Sequence, residues 1–201
     1  MDNIATGFSV ASSLCADLDY PVSIKGCRAS RFNKYEQVLY LTPRVMDGTS
    51  PIAIAVAAHE AGHAIQYTIP FVSWIMNVVS WCRPLLRLLT SIWYGTMLGM
   101  FIGEASFSAT TAITLSKITL IAFTACFLVA ILNLLIEAHA SIIAVRQLLK
   151  HNHLISNVSI GKCKLTLVGA WLTYFGGCCA TVIFGITTMA MIATMMTQLV
   201  V

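Results

Sequence analysis

Charged side chains are scarce in this chain. Only 10% of its 201 residues are Asp, Glu, Lys or Arg, whereas 58% are hydrophobic. Soluble globular domains carry roughly 25% charged residues, so the composition excludes an ordinary soluble enzyme. The mean hydropathy of +0.82 indicates an integral membrane protein instead. The scarcity is uneven, because only eight charged side chains follow residue 84. We therefore predict an N-terminal unit over residues 1–69 and a membrane region over residues 70–201.

Paired cysteines and a basic surface patch are also missing. The seven cysteines are odd in number and form no CxxC pair, which argues against a disulfide framework and against a zinc site made of thiolates. The formal net charge is +4, but the cations are scattered and are not interleaved with aromatic residues, so we expect no nucleic-acid partner. The first residues lack a basic start and an apolar core of adequate length, so we expect no secretory signal.

An HExxH motif is the most informative feature that is present. It reads His59-Glu60-Ala61-Gly62-His63, and residues at i and i+4 share a helix face, so the two imidazoles can bind one metal ion while Glu60 holds the attacking water. Ser50 as the N-cap and Pro51 at the first helical position predict a helix that continues to Gln66. The alternative, two core histidines satisfied by local hydrogen bonds, would bury three polar groups among alanines, where unpaired polar groups are costly.

The N-terminal unit is predicted to be a small α/β, zincin-like unit. Residues 4–17 favour an amphipathic helix, and Val22–Ile24 and Val38–Leu41 have strand-like composition, which predicts a hairpin or two-strand sheet before the metal helix. In zinc peptidases an edge strand beside such a helix can bind extended substrate. The apolar face of the first helix is expected to consist of Ile4, Phe8, Ala11, Leu14 and Cys15.

The membrane region is predicted to contain about three transmembrane helices, so that the whole chain is a mainly α membrane protein. The proposed spans cover about residues 88–103, 118–136 and 178–199. Arg83 and Arg87 are expected to anchor an interfacial helix before the first span. The uncharged stretch from Leu165 to Val201 exceeds one bilayer crossing as a single helix, so we expect a break at Gly176-Gly177.

Basic residues predict the orientation of these spans. They are frequent before the first span and in residues 138–164, whereas the link between the first two spans carries only Lys117. By the positive-inside rule, the N-terminal unit and residues 138–164 share the cytoplasmic side.

A catalytic zinc ion needs a third protein ligand. In the predicted topology Glu104 lies across the bilayer from the histidines, whereas Glu137 ends the second span on their own side. An ionised carboxylate directly after an apolar run is costly unless it is paired, and the alternative is an interfacial carboxylate paired with Arg146. His139 is a rival ligand, but i and i+2 do not share a helix face, so we prefer Glu137. Ser141, one turn further on, is expected to hydrogen-bond a ligand.

These residues resemble a known family. The segment from Ala57 to Gln66, with Ser50-Pro51-Ile52-Ala53 before it and Glu137-Ala138-His139-Ala140-Ser141 downstream, looks like the YugP-type membrane-associated neutral zinc metallopeptidases of bacteria. The resemblance covers roughly residues 5–70 and 130–185. It implies a membrane-bound gluzincin of the bacterial inner membrane that holds Zn²⁺ through His59, His63 and Glu137, with Glu60 as the general base.

The function expected from the sequence is zinc-dependent hydrolysis of peptide bonds at the cytoplasmic face. Glu60 would take a proton from the attacking water and return it to the leaving amine. Expected partners are the lipid bilayer and a peptide or membrane-protein substrate. The oxyanion could be stabilised by Tyr35, Tyr40, Tyr67, Tyr174 or His139. Two other classes stay open: a catalytically inactive zinc-binding membrane scaffold, and a small transporter that uses Glu104 and Glu137.

Overall fold

The structure is a computed structural model that describes residues 5–102, 109–155 and 158–200. It is mainly helical, with one small sheet. The elements in chain order are α1 (Gly7–Ala16), β1 (Ser23–Gly26), β2 (Arg31–Asn33), β3 (Val38–Leu41), α2 (Pro43–Met46), α3 (Pro51–Tyr67), α4 (Pro70–Ile102), α5 (Ala109–Lys150), a 3₁₀ turn (Asn152–Ile155) and α6 (Ile160–Val200).

The chain forms two compact units, which we call the first and second units. The first unit contains Met1–Met76 and Leu135–Tyr174, and the second contains Asn77–Leu134 and Phe175–Val201. The first unit thus combines the N-terminal helices and the sheet with the C-terminal part of α5 and the beginning of α6.

The sheet has three strands in the order β1-β3-β2, where β1 is parallel and β2 antiparallel to β3. Of the two predicted forms, the hairpin is wrong, since the two strands run in the same direction, whereas their pairing in one sheet is confirmed. The polar stretch between them supplies β2, and the hairpin joins β2 to β3. Its turn is stabilised by the Asn33 side chain, whose Oδ1 accepts the Tyr35 backbone N–H at 3.1 Å. Strand β2 has only three residues, and their side chains are partly exposed. Its alternation of apolar and polar residues is therefore too short to predict a strand from the sequence.

Helix α1 presents a different face to the core than its sequence predicted. Ala11, Leu14 and Cys15 are buried as expected, but Phe8 is 43% exposed, and Ile4 lies outside the described residues. The helix begins at Gly7 behind a capping box formed by Thr6 and Ser9. A Cβ on Gly7 would lie 2.1 Å from the Val45 carbonyl oxygen, so this glycine faces the core. Positions three, four and seven residues further on then face inward as well, which turns Phe8 outward.

The predicted helix around the HExxH motif is confirmed. Ser50 caps α3 by accepting the Ala53 backbone N–H at 3.2 Å, and Pro51 occupies the first turn. The helix lies at the centre of the first unit's core, with Ile54 and six alanines buried. The same core includes Leu39 and Leu41 from β3, Val10 from α1, Leu148 from α5 and Leu167 from α6.

Two helices among the described residues are long and apolar enough to cross a membrane, and a bent pair would make a third. The two are Lys117–Lys150, which contains the predicted span 118–136, and Ile160–Ala190; the pair is α3 with Pro70–Leu88, bent by 107°. The break expected at Gly176-Gly177 is wrong, because α6 is continuous over 41 residues. Two glycines cost roughly 2 kcal/mol of helix propensity, which the long flanking runs of apolar helix formers outweigh. The predicted span 88–103 ends at Gly103, outside the described residues.

Candidate metal centre

Three metal-binding side chains converge between α3 and α5. His59 and His63 lie one turn apart on α3, and Glu137 enters from α5, 78 positions further along the chain than His59. One carboxylate oxygen, Oε2, lies 3.1 Å from Nε2 of His59 and 3.3 Å from Nε2 of His63. The structure therefore brings together the two histidines and the distant acid that the sequence singled out.

The distances from the Glu137 carboxylate to the two imidazoles fit a tetrahedral zinc ion. Ligand atoms that each lie about 2.0 Å from such an ion are roughly 3.3 Å from one another. The two imidazole–carboxylate distances agree with that spacing, and the potential ligand atoms of the three residues all lie within 4.8 Å of one another. Two neutral imidazoles and one carboxylate are also the donor set of known catalytic zinc sites that keep a fourth position for water.

The outer nitrogen of each imidazole has its own partner. Nδ1 of His59 lies 3.2 Å from Oγ of Ser141 on α5, as expected from the spacing of Ser141 and Glu137. Nδ1 of His63 lies 2.9 Å from Oε1 of Gln66 on α3. Metal-ligating histidines almost always donate this second N–H to a fixed acceptor, which determines the tautomer and the ring orientation. Both rings thus direct Nε2 towards the shared carboxylate.

A close approach of α3 and α5 makes the convergence possible. A Cβ added at Gly62 would lie 2.7 Å from the carbonyl oxygen of Ala140, so any side chain at this position would push the two helices apart. Gly62 lies between the ligands His59 and His63, and Ala140 lies between Glu137 and Ser141. The glycine in the HExxH motif therefore has a steric role that the motif pattern does not require.

The C-terminal half of α3 is also held from its other side. The hydroxyl of Tyr20 donates to the carbonyl oxygen of Ala64 at 2.7 Å. Burial raises the pKa of Tyr20 to about 12, so the phenol stays protonated and remains a donor across the physiological range. This bond joins the loop before β1 to the residue that follows His63.

Glu60 lies beside the ligands on α3 but is not part of the converging group. Burial raises the pKa of its carboxyl above the ordinary value, and the neighbouring His63 and His59 partly oppose that rise. A backbone hydrogen bond from Phe32 on β2 also favours the charged form. A carboxylate with a raised pKa, next to a metal site, is suited to accept a proton from water and to return it.

The rival assignments for the α5 residues can now be compared. The side chain of Glu137 is 10% exposed and contacts both imidazoles, whereas the described residues contain no ion pair between Glu137 and Arg146. His139 instead places Nδ1 3.0 Å from Nε2 of Gln66. The rival ligand therefore lies beside the site and is joined to it through an amide. Glu104 lies outside the described residues.

The expected oxyanion donors are dispersed. Tyr35 is 70% exposed, and the hydroxyl of Tyr40 donates to Oε2 of Glu36 at 2.5 Å. The Tyr67 ring lies 6.3 Å from that of Phe32 on β2. His139 is engaged at Nδ1 by Gln66. The geometry assigns the oxyanion role to none of these four, and the role of Tyr174 stays a prediction.

Sequence reasoning missed two participants. One is Phe32, whose backbone contacts Glu60; no periodicity marks a strand as short as β2. The other is Gln66, three residues after His63 on a helix and therefore on the same face. That spacing is a signal that could have identified Gln66 as a partner of the ligand.

Comparison with known proteins gives one match. The family model described as "Putative neutral zinc metallopeptidase" matches residues 2–196. No match was found among curated proteins or among solved structures. The family match extends over nearly the whole chain and includes α3, α5 and all three members of the candidate metal centre.

Proposed function

The chain belongs to the family of putative neutral zinc metallopeptidases, and from this premise we propose that it is a membrane-embedded zinc endopeptidase with a zincin-like catalytic unit. The observation that carries the proposal is the convergence of His59, His63 and Glu137 at zinc-ligand spacing. A second carboxylate, Glu60, follows the first ligand on α3 and is not one of the three converging groups.

In this proposal each residue has a distinct task. His59, His63 and Glu137 hold the ion, which when bound supplies Lewis acidity and a water of lowered pKa. Glu60 takes the proton from the attacking water and later gives it to the leaving amine, so one carboxylate acts first as base and then as acid. Burial raises the pKa of Glu60, which makes its carboxylate a better base for the first transfer.

The lipid bilayer is the proposed environment of the site. Helix α5 is continuous from Ala109 to Lys150, and its residues 118–136 carry no charge. Nineteen helical residues span roughly 28 Å, close to the bilayer's hydrocarbon thickness. Glu137 follows this run directly, which supports a site at the membrane boundary. The basic residues in 138–164 and before α4 support the cytoplasmic side of a bacterial inner membrane.

Extended peptide segments are the proposed substrates, including those that emerge from membrane proteins. Strand β2 is at an edge of the sheet, and its Phe32 backbone approaches Glu60. An extended chain that adds to such an edge gains main-chain hydrogen bonds and presents its carbonyls in sequence along the strand. Of the two strands predicted from the sequence, β3 is central and β1 lies at the opposite edge of the sheet, so β2 is the proposed substrate-binding strand.

The proposal is tested by comparing purified wild type with Glu60→Gln in detergent. We expect both proteins to contain about one zinc per chain, and we expect only the wild type to cleave a casein-like substrate, with a loss of at least about a thousandfold in the variant. Full activity in Glu60→Gln would remove this residue from the mechanism. A zinc-loaded wild type that cleaves nothing in a broad peptide library would favour the scaffold, and zinc flux into vesicles would favour the transporter.

A further inference from the structure

Gln66 is a fully buried polar side chain that touches both helices of the metal centre. Its exposed fraction is 0%. Oε1 lies 2.9 Å from Nδ1 of His63, while Nε2 lies 2.8 Å from the carbonyl oxygen of Ile136 and 3.0 Å from Nδ1 of His139. Both polar atoms of the amide therefore have hydrogen-bond partners, and these partners offset the free-energy cost of burying the amide.

The Ile136 carbonyl determines which way the amide points. A carbonyl oxygen can only accept, so the amide nitrogen, not the oxygen, must face it. The amide oxygen must then face His63, and since an amide oxygen also only accepts, Nδ1 of His63 carries a hydrogen. The second amide hydrogen is directed at Nδ1 of His139, which must be the unprotonated nitrogen of that ring.

We propose that Gln66 is a positioning residue that fixes the Nδ1–H tautomer of His63, so that Nε2 is free to bind the metal, and that holds α5 in register one residue before Glu137. The inference rests on the proposed function only in taking the three converging residues as zinc ligands. Through a single amide, the orientation of one ligand on α3 is joined to the backbone that carries the third ligand on α5.

A second consequence concerns His139. With Nδ1 accepting from Gln66, the proton of the neutral ring is on Nε2, which makes that nitrogen a donor. Gln66 therefore sets opposite tautomers in two histidines, with Nε2 of His63 as an acceptor towards metal and Nε2 of His139 as a hydrogen-bond donor.

The variants Gln66→Leu and Gln66→Glu test the proposal. Leu has similar bulk without polar atoms, whereas Glu keeps an acceptor for His63 but loses both donors. Gln147→Leu, a partly buried glutamine on α5 away from the metal centre, is the matched control. Zinc affinity is measured by competition with a chromophoric chelator, and the ligand geometry by the visible absorption of the Co²⁺-substituted protein.

We expect the zinc Kd to rise about 10- to 100-fold in Gln66→Leu and by less in Gln66→Glu, with a changed cobalt spectrum in both variants and no change in Gln147→Leu. Where peptidase activity is measurable, kcat should fall while KM changes little. Wild-type zinc affinity and cobalt spectra in both Gln66 variants would overturn the proposal, leaving Gln66 a packing residue. If Gln66→Leu does not fold, the same-sized Gln66→Glu decides alone.

These readouts also separate this inference from the proposed function. Zinc affinity and the cobalt spectrum need no substrate, so a wild type without peptidase activity would defeat the proposed function and leave the role of Gln66 testable. Conversely, an active enzyme whose metal binding ignores Gln66 would defeat only the positioning role.

Discussion

Several helical hydroxyls of the second unit and the Ser141 hydroxyl of the first unit have different hydrogen-bond partners. In the second unit, helical hydroxyls such as those of Ser91, Thr114 and Thr124 donate to the backbone carbonyl four residues earlier in their own helix. In the first unit, Ser141 on the same α5 as Thr114 and Thr124 reaches across to Nδ1 of His59. A hydroxyl that bonds its own helix has no need of a protein neighbour, which suits a lipid-facing segment. The hydroxyl of Ser141 thus differs from those of Thr114 and Thr124 on the same helix in that it contacts a member of the candidate metal centre.

Packing differs in the same direction. Leu39, Ile54 and Ala58 in the first unit are 0% exposed, whereas Ile121, Leu128 and Ile183 in the second are 56–69% exposed. Apolar side chains with that much exposed surface need to be covered, and the most apolar windows of the two candidate spans are each only 6% buried by protein. Lipid is the cover that their composition fits. The first unit thus has a packed apolar core, whereas the candidate spans expose apolar side chains that lipid would cover.

The largest expected effect contrasts the two acids in residues 70–201, Glu104 and Glu137. We expect Glu137→Ala to weaken zinc binding by at least about a thousandfold, roughly 4 kcal/mol, because a ligand is lost and two imidazoles lose their shared partner. The matched variant Glu104→Ala should bind zinc as the wild type does. Both are measured as zinc content after dialysis against a weak chelator. Undiminished zinc content in Glu137→Ala would mean that the third ligand is another residue. Loss of zinc in Glu104→Ala would favour the transporter hypothesis.

The next effect compares a core leucine of the first unit with an exposed leucine of a candidate span. Leu39→Ala leaves a cavity beneath α3 and should lower the free energy of unfolding by about 2–5 kcal/mol. Leu128→Ala removes a side chain that is 56% exposed and should change it by no more than about 0.5 kcal/mol in detergent. Denaturant titration followed by circular dichroism measures both. Equal losses would mean that the second unit has a packed protein core of its own.

The sequence predicted the parts of the site that depend on local spacing. The cap at Ser50, the extent of α3 and the shared face of His59 and His63 all follow from a 3.6-residue period. Glu137 could be singled out because an acid directly after a bilayer-length apolar run is unusual. These inferences need only neighbouring residues or the count of residues between charges.

The remainder depends on contacts between distant segments. Strand β2 forms because β3 offers it an edge, and the face of α1 is set by the carbonyl of Val45 against Gly7. The role of Gln66 depends on the carbonyl of Ile136, 70 positions away. No local pattern shows these contacts. The polar composition between the two predicted strands therefore indicates a loop where β2 forms, and the HExxH motif does not include Gln66.

Substitutions at two glycines, one on α3 and one on α6, test how closely these helices are packed against protein. Gly62→Ala places a methyl group 2.7 Å from the Ala140 carbonyl oxygen and should cost about 1–3 kcal/mol of stability, with weaker zinc binding, because α3 and α5 must separate. A Cβ on Gly177 meets nothing within 4 Å, so Gly177→Ala should stabilise its helix by up to about 1 kcal/mol. Thermal unfolding of the two variants in the same detergent is the measurement. A destabilising Gly177→Ala would reveal a protein neighbour at that face, and a neutral Gly62→Ala would show that the helices can relax without harm to the site.

The smallest effect tests the contrast between hydroxyls directly. Ser141→Ala removes the partner of Nδ1 on His59 and should weaken zinc binding about tenfold, at the lower end of what such outer partners contribute, because water can replace a lone hydroxyl at a partly exposed ring. Thr124→Ala removes a hydroxyl that serves only its own helix, so zinc affinity should not change. Competition with a chromophoric chelator resolves a tenfold difference. Equal affinities in Ser141→Ala and wild type would mean that the imidazole of His59 is held by its packing on α3, and that the hydroxyl of Ser141 has no more part in the site than that of Thr124.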